Sequence, residues 1–250
     1  MHNLEPGIRA DLAPAAVLRA ALNLGNPVLN TGTPESPAGV TVDIAREIAA
    51  RLGVPVEFRC FGAARESFAA MTTGRADICF LAIEPARSAE VAFTPPYVLI
   101  EGVYAVPAGS PLRTVAEVDR PGVRIGVKEG SAYDLFLTRT LRHANVVRGA
   151  EGTDVFVARN LEAGAGVREP VTEFVAAHPG YRLLEERFME IPQAVGVAKT
   201  RRPETSRFLH ALVEELKASG FVADALRRSG QTAPVAPAAP DQPGPVAPPG

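Results

Sequence analysis

Cysteine is scarce: Cys60 and Cys79 are the only two in 250 residues. Two cannot staple a chain of this size, so a disulfide scaffold is excluded as its source of stability. Both fall on predicted strands, where two buried free thiols are expected, with one disulfide as the other arrangement. They have no CxxC spacing and no companion histidines, so no metal site is expected. Of four histidines, His2 is terminal, His143 and His210 fall on predicted helices, and His178 falls near a helix end. No GxSxG, HExxH or P-loop pattern occurs, and no cofactor is expected. No charge of one sign accumulates either. The formal net charge is −2, with acids and bases mixed along the chain, which argues against a nucleic-acid partner or a polybasic membrane patch. No apolar run reaches bilayer length, so no membrane insertion is expected. The opening MHNLEPGIRADLAPAAVLRAAL does not read as a secretory leader, because Glu5 and Asp11 come early and Pro14 breaks the apolar stretch.

What is present is a chain that is 46% hydrophobic, ample for a packed core in one large domain or two small ones. Residues 18–24 are an apolar run of strand length. In GVTVDIAREIAARLG, Ile44, Ile48 and Leu52 make one helical stripe, closed by Gly53. VPVEFRC alternates as a strand, AARESFAAMTTG reads as a helix, and ADICFLAI is a continuous apolar strand. Strand–helix–strand–helix–strand implies βαβ units around a mainly parallel sheet. Residues 103–109 form a strand that leads away.

A second series follows. VRIGV is a strand, and KEGSAYDLFLTRTLRHA turns through Gly130 into a helix with Ser131 as N-cap. TDVFVARNL is a short helix, EAGAGV a small-residue strand and EPVTEFVAAHPG a helix. YRLLEE and IPQAVGVAK are strands, then RPETSRFLHALVEELKASG and residues 221–228 are helices. Residues 231–250 are Pro- and Ala-rich and read as a disordered tail.

The order of these segments resembles the periplasmic solute-binding proteins of ABC importers, in the group that binds polar amino acids. The likeness spans residues 17–230. It rests on GVTVDIAREIAARLG, on TTGRADICF, on EPARSAEVAFTPPY against the pattern E-x-R…F-S/T-x-P-Y, on VRIGVKEGSAYDLFL, and on FMEIPQAVGVAK. The resemblance implies an α/β fold of two lobes, each a mainly parallel sheet flanked by helices, with the ligand cleft between them. Lobe one would be 1–104 plus 194–230, lobe two 108–190, and the hinge 105–107 and 191–193. It also implies a monomer outside the cytoplasmic membrane that holds a small carboxylate-bearing ligand and serves an ABC permease or a sensor. With no leader visible, a cytoplasmic place stays open.

Carried over residue by residue, the resemblance puts Arg87 on the ligand carboxylate. A guanidinium is a rigid fork of donors that suits this; the plain alternative is a solvated helix arginine. Backbone groups of Leu81 and Ala82 would border the ligand, on a strand whose CFLA lacks the hydroxyls usual there. Ser131 would be a second carboxylate contact or only an N-cap, and Tyr133 would line the cleft or pack on the sheet. Asn23 and Asn26 would be wall residues or turn formers. Val167 stands where amino-acid binders place an aspartate for the ammonium, with Glu169 as a shifted substitute. Arg168 would add positive charge and favour a dicarboxylate or another anion. Glu101 and Gln193 would border the cleft near the hinge, Glu101 as another ammonium anchor. The expected activity is binding without turnover. The alternative is an enzyme resembling cyclohexadienyl or arogenate dehydratases, with Tyr133, Glu101, Glu129 or Glu169 as acid or base.

Overall fold

The computed structural model describes residues 6–240. The expectations for the first five residues and for 241–250 lie outside the described residues. Helix α1 (Pro6–Leu12) precedes β1 (Leu18–Asn23), and a hairpin of β2 (Thr31–Thr33) and β3 (Ser36–Ala38) leads into α2 (Val40–Leu52). Then come β4 (Val56–Phe61), α3 (Ala64–Thr72), β5 (Ile78–Ala82), α4 (Pro85–Ser88) and β6 (Val91–Phe93). A ten-residue strand, β7 (Val98–Pro107), crosses to β8 (Arg124–Lys128), α5 (Ala132–Thr140), β9 (Asn145–Gly149) and α6 (Gly152–Ala158). After β10 (Ala163–Val167), α7 (Arg168–Ala177) and β11 (Tyr181–Leu183), the return strand β12 (Met189–Ala198) leads to α8 (Pro203–Ala218) and α9 (Phe221–Arg228).

One sheet runs through both halves in the order β4-β1-β5-β12-β7-β10-β8-β9. Within each lobe the inner strands are parallel: β1 with β4 and β5, and β8 with β9 and β10. The two crossing strands, β7 and β12, are antiparallel to their neighbours. The largest apolar cluster passes from Ile44 and Ile48 through Tyr97 and Ile100 to Val127 and Leu137, so it is continuous across the crossing.

On β7 the exchange of strand partners falls at Gly102, ahead of residues 105–107. Gly102 pairs with Met189 on one side and with Val167 on the other, and Gln193 pairs with both Val98 and Ala82. Strand-to-strand exchange therefore occupies 98–102 and 189–193. Residues 105–107 instead pair with β11 inside the second lobe. The apolar run in β7 is interrupted by Glu101-Gly102, which hides the first half of the strand from a hydropathy reading.

Two further differences have physical causes. The helix expected to reach residue 144 stops at Thr140, because the Asp119 carboxylate gathers the backbone N–H groups of Arg142, His143 and Ala144 at 2.8–3.2 Å. Residues 231–240, read as tail, are instead a strap on the sheet. Leu99 N donates to Pro234 O at 3.0 Å, Ala236 N donates to Tyr97 O at 3.1 Å, and Ala233 and Ala236 are buried. The strap needs no core of its own because it covers the β7 edge left free before β10 begins.

Lobe one is tied together by Asp77, fully buried ahead of β5. Its carboxylate accepts from Arg19 N at 3.0 Å, Arg19 Nε at 2.9 Å, Arg19 Nη2 at 2.8 Å and Arg201 Nη2 at 3.0 Å. This joins β1 to the segment that follows β12. Asp77→Ala should cost about 3–5 kcal/mol by urea denaturation, since it leaves two shielded guanidinium groups unpaired. A loss below about 1 kcal/mol would show that water replaces the carboxylate.

Candidate ligand-binding cleft

A cavity of about 340 Å³ lies where the two lobes meet, at the small end of the range for metabolite sites. The carboxyl ends of β1, β5, β8 and β10 converge on it, as expected for ligand sites of open α/β sheets. Lobe one supplies the loop 23–27, Ala82 and Arg87. Lobe two supplies Lys128, Glu129, Ser131, Tyr133, the start of α6 and the end of β10. The crossing strands form the floor with Ile100, Ile191 and Gln193.

Arg87 is the centre of this arrangement. Glu84 is extended and Pro85 opens the single turn of α4, which swings the arginine inward. The side chain is only 3% exposed. Its Nη1 donates to Ala82 O at 3.2 Å and its Nη2 donates to Gly130 O at 3.0 Å, one carbonyl from each lobe. Among the described residues no carboxylate is within ion-pair distance of it; nearby Glu84 is paired with Arg139 at 2.7 Å. Burial lowers the Arg87 pKa to about 10, which still leaves it charged at neutral pH.

Facing it, Ser131 caps α5, its Oγ accepting from Asp134 N at 3.0 Å. Gly130 precedes it with φ +70, and a Cβ there would meet the Arg65 side chain at 2.8 Å, so the loop needs glycine. Asp134 holds the loop from below, accepting from Gly130 N at 2.9 Å and pairing with Arg148 at 2.9 Å. Tyr133 is buried at the wall, and burial raises its pKa. Asn23 forms a turn through Gly25 N at 3.1 Å, while Asn26 Oδ1 is buried without a protein partner.

Eight of the eleven candidates thus border one cavity: Asn23, Asn26, Ala82, Arg87, Ser131, Tyr133, Val167 and Gln193. Three do not. Leu81 faces the other side of β5, against Met71 and Val91, because neighbouring strand residues alternate. Arg168 turns away to Glu101 at 2.5 Å and to Glu185 O at 2.9 Å. Glu101 is enclosed by Arg168 and Arg187; burial alone would raise its pKa, but the hydrogen bonds from the two arginines prevail and hold it below the usual range. It does not border the cavity. Glu169 also lies off the cavity, and Val167 borders it among Pro170 and Val171. Both cysteines are free, and burial pushes Cys79 up to about 12.

Two charged residues of the cavity escaped the sequence reading. Lys128 ends β8 and enters the cavity, and Glu151 caps α6 opposite it, with Nζ to Oε1 at 2.5 Å. The available signal was position: Lys128 is the last residue of a parallel strand, where side chains face the crevice.

Residues 19–230 match the family described as bacterial extracellular solute-binding proteins, family 3. The chain belongs to this family. Solved structures of the same fold include a mutant of ArgBP from T. maritima, 22% identical, with 89% of this chain and 99% of that one covered and a TM-score of 0.72. The solute receptor for L-cysteine of Neisseria gonorrhoeae is 19% identical, with 88% and 92% covered and a TM-score of 0.74. An ancestral amino acid-binding protein, a precursor of cyclohexadienyl dehydratase, is 19% identical, with 88% and 97% covered and a TM-score of 0.71. No curated protein sequence matches the chain. The family assignment and the shared fold make this a two-lobed solute-binding protein.

Three contacts draw the lobes together in this structure. They are Arg139–Glu84, Arg87 to Gly130 O, and Arg65 Nη1 to Glu129 O at 3.1 Å. Glu84 is nearly fully shielded while Arg139 is half exposed. Arg139→Met would strand the Glu84 carboxylate unless the cleft opens to hydrate it. Small-angle X-ray scattering of the ligand-free variant should give a larger radius of gyration than wild type. An unchanged radius would mean the pair contributes nothing to closure.

Proposed function

We propose that this solute-binding protein captures a small carboxylate-bearing ligand, an amino acid or a related organic acid, by closing its lobes. The observation that carries the reading is Arg87, a buried guanidinium aimed into the interlobe cavity with no acid of its own. A carboxylate arriving there would pair with the planar fork and replace carbonyl contacts with charge-assisted hydrogen bonds. Asn26 Oδ1, buried and unpartnered, supplies a second polar point. The hinge of this motion is 98–102 with 189–193, where the two crossing strands pair with each other between the partner exchanges at Gln193 and Gly102. Ligand that touches both lobes favours the closed form through contacts absent from the open one.

The physiological setting that fits the family is delivery to an ABC permease, or to a sensor, outside the cytoplasmic membrane, by a monomer. For dehydratase chemistry, the competing reading, Glu101 and Glu169 lie off the cavity, with Glu101 held by two arginines, while Tyr133 and Glu129 border it.

Arg87→Ala should weaken carboxylate binding about 100-fold or more, in line with about 2–5 kcal/mol for truncating one side of a buried charge pair. Isothermal titration calorimetry against a panel of amino acids and organic acids measures this, with circular dichroism confirming the fold. Binding that survives the substitution unaltered would remove Arg87 from the site.

A further inference from the structure

We infer that the ligand is a dicarboxylate without an ammonium group, one acid held by Arg87 from lobe one and the other by Lys128 from lobe two. This rests on the carboxylate-binding reading of the same cleft and goes further by naming the ligand class.

The argument starts from how burial sorts the charges that border the cavity. Four ionisable side chains of fixed sign line it: Arg87, Lys128, Glu129 and Glu151. The two cations are the buried ones, at 3% and 8% exposure. Glu129 is exposed and the Glu151 side chain is 51% exposed. The buried charges of the cleft are therefore both positive, and the acids that line it, one of them paired with Lys128, are the exposed ones. A buried cation needs a partner more than an exposed acid does.

Lys128 is also fixed by shape. Its Nζ reaches across the cleft to Gly25 of lobe one, where an added Cβ would stand 2.6 Å from it. Its partner Glu151 is free to swing into water at little cost, because half of that side chain is already solvated. Glu151 thus serves as an exchangeable counter-ion, displaced when an acid group of the ligand takes Lys128.

The place where an ammonium would sit offers it nothing. The end of β10 presents Ala165, Gly166 and Val167, with Pro170 and Val171 beside them. Glu101 and Glu169 do not border the cavity, its acids Glu129 and Glu151 lie on other elements, and an ammonium pressed against this wall would lose hydration with no acid on the wall to replace it. Asn26 Oδ1 calls for one donor, which a neutral hydroxyl satisfies as well as an amine does.

The test is calorimetric titration of the full chain with three four-carbon diacids that differ only at C2: succinate, malate and aspartate. Glutarate and glutamate form a five-carbon pair. Succinate, malate or glutarate should bind at least tenfold tighter than the amino acid of its length. Lys128→Met should lower that affinity at least tenfold, Lys128→Arg should restore part of it, and circular dichroism should show both folded. The inference is overturned if aspartate or glutamate binds as tightly as its counterpart, if Lys128→Met leaves diacid affinity intact, or if none of the five binds. Failure here is separable from failure of the carboxylate reading. A protein that prefers aspartate but loses it in Arg87→Ala keeps the carboxylate site and loses only the diacid.

Discussion

A guanidinium shut away from water, with no carboxylate among the described residues in ion-pair distance, is the constraint on which this molecule turns. Such a charge is costly unless dipoles or an anion replace its hydration. Here the chain supplies two carbonyl oxygens, one from the end of β5 and one from Gly130. Those carbonyls belong to different lobes, so satisfying Arg87 and bringing the lobes together are the same act. The surrounding construction serves this. Proline at the start of α4 sets the direction of the arginine, glycine at 130 lets the opposing loop turn, and Asp134 anchors that loop from the sheet side.

The crossing strands let the lobes move without breaking the sheet. Their shared register places Glu101 opposite Glu190, a like-charged pair that would weaken the ladder if left alone. Arg187 lies against both, at 2.9 and 3.4 Å, and Arg168 closes on Glu101 from α7. The arginine that seemed to add charge to the ligand site is spent on the hinge. Cationic character in the cleft comes from Lys128 instead.

Much of the fold was legible because periodicity and sterics act locally. The stripe of Ile44, Ile48 and Leu52 is buried as its spacing requires, and the unbroken ADICFLAI run became a strand shielded along its whole length. Arg87 was legible through the landmarks around it. What stayed hidden depends on contacts distant in sequence. Nothing near Thr140 announces that Asp119 will end the helix there, and nothing in a Pro/Ala-rich segment announces a vacant strand edge to dock on. Nothing beside Lys128 in the sequence marks it as a cleft residue; the second lobe has to face the first. Leu81 was named for its backbone, but that backbone lies within the ladder opposite Ala194, and only Ala82 at the strand end borders the cavity.

The strap also ties the crossing strand to the long C-terminal helix. Lys217 Nζ donates to Pro237 O at 2.8 Å, and Ala239 N donates to Glu214 Oε2 at 3.2 Å, so the strap runs from the crossing strand onto α8. Over residues 231–239 the strap therefore spans the start of β7 and the side of α8, and it makes no hydrogen bond to β8, β9 or β10 among the described residues.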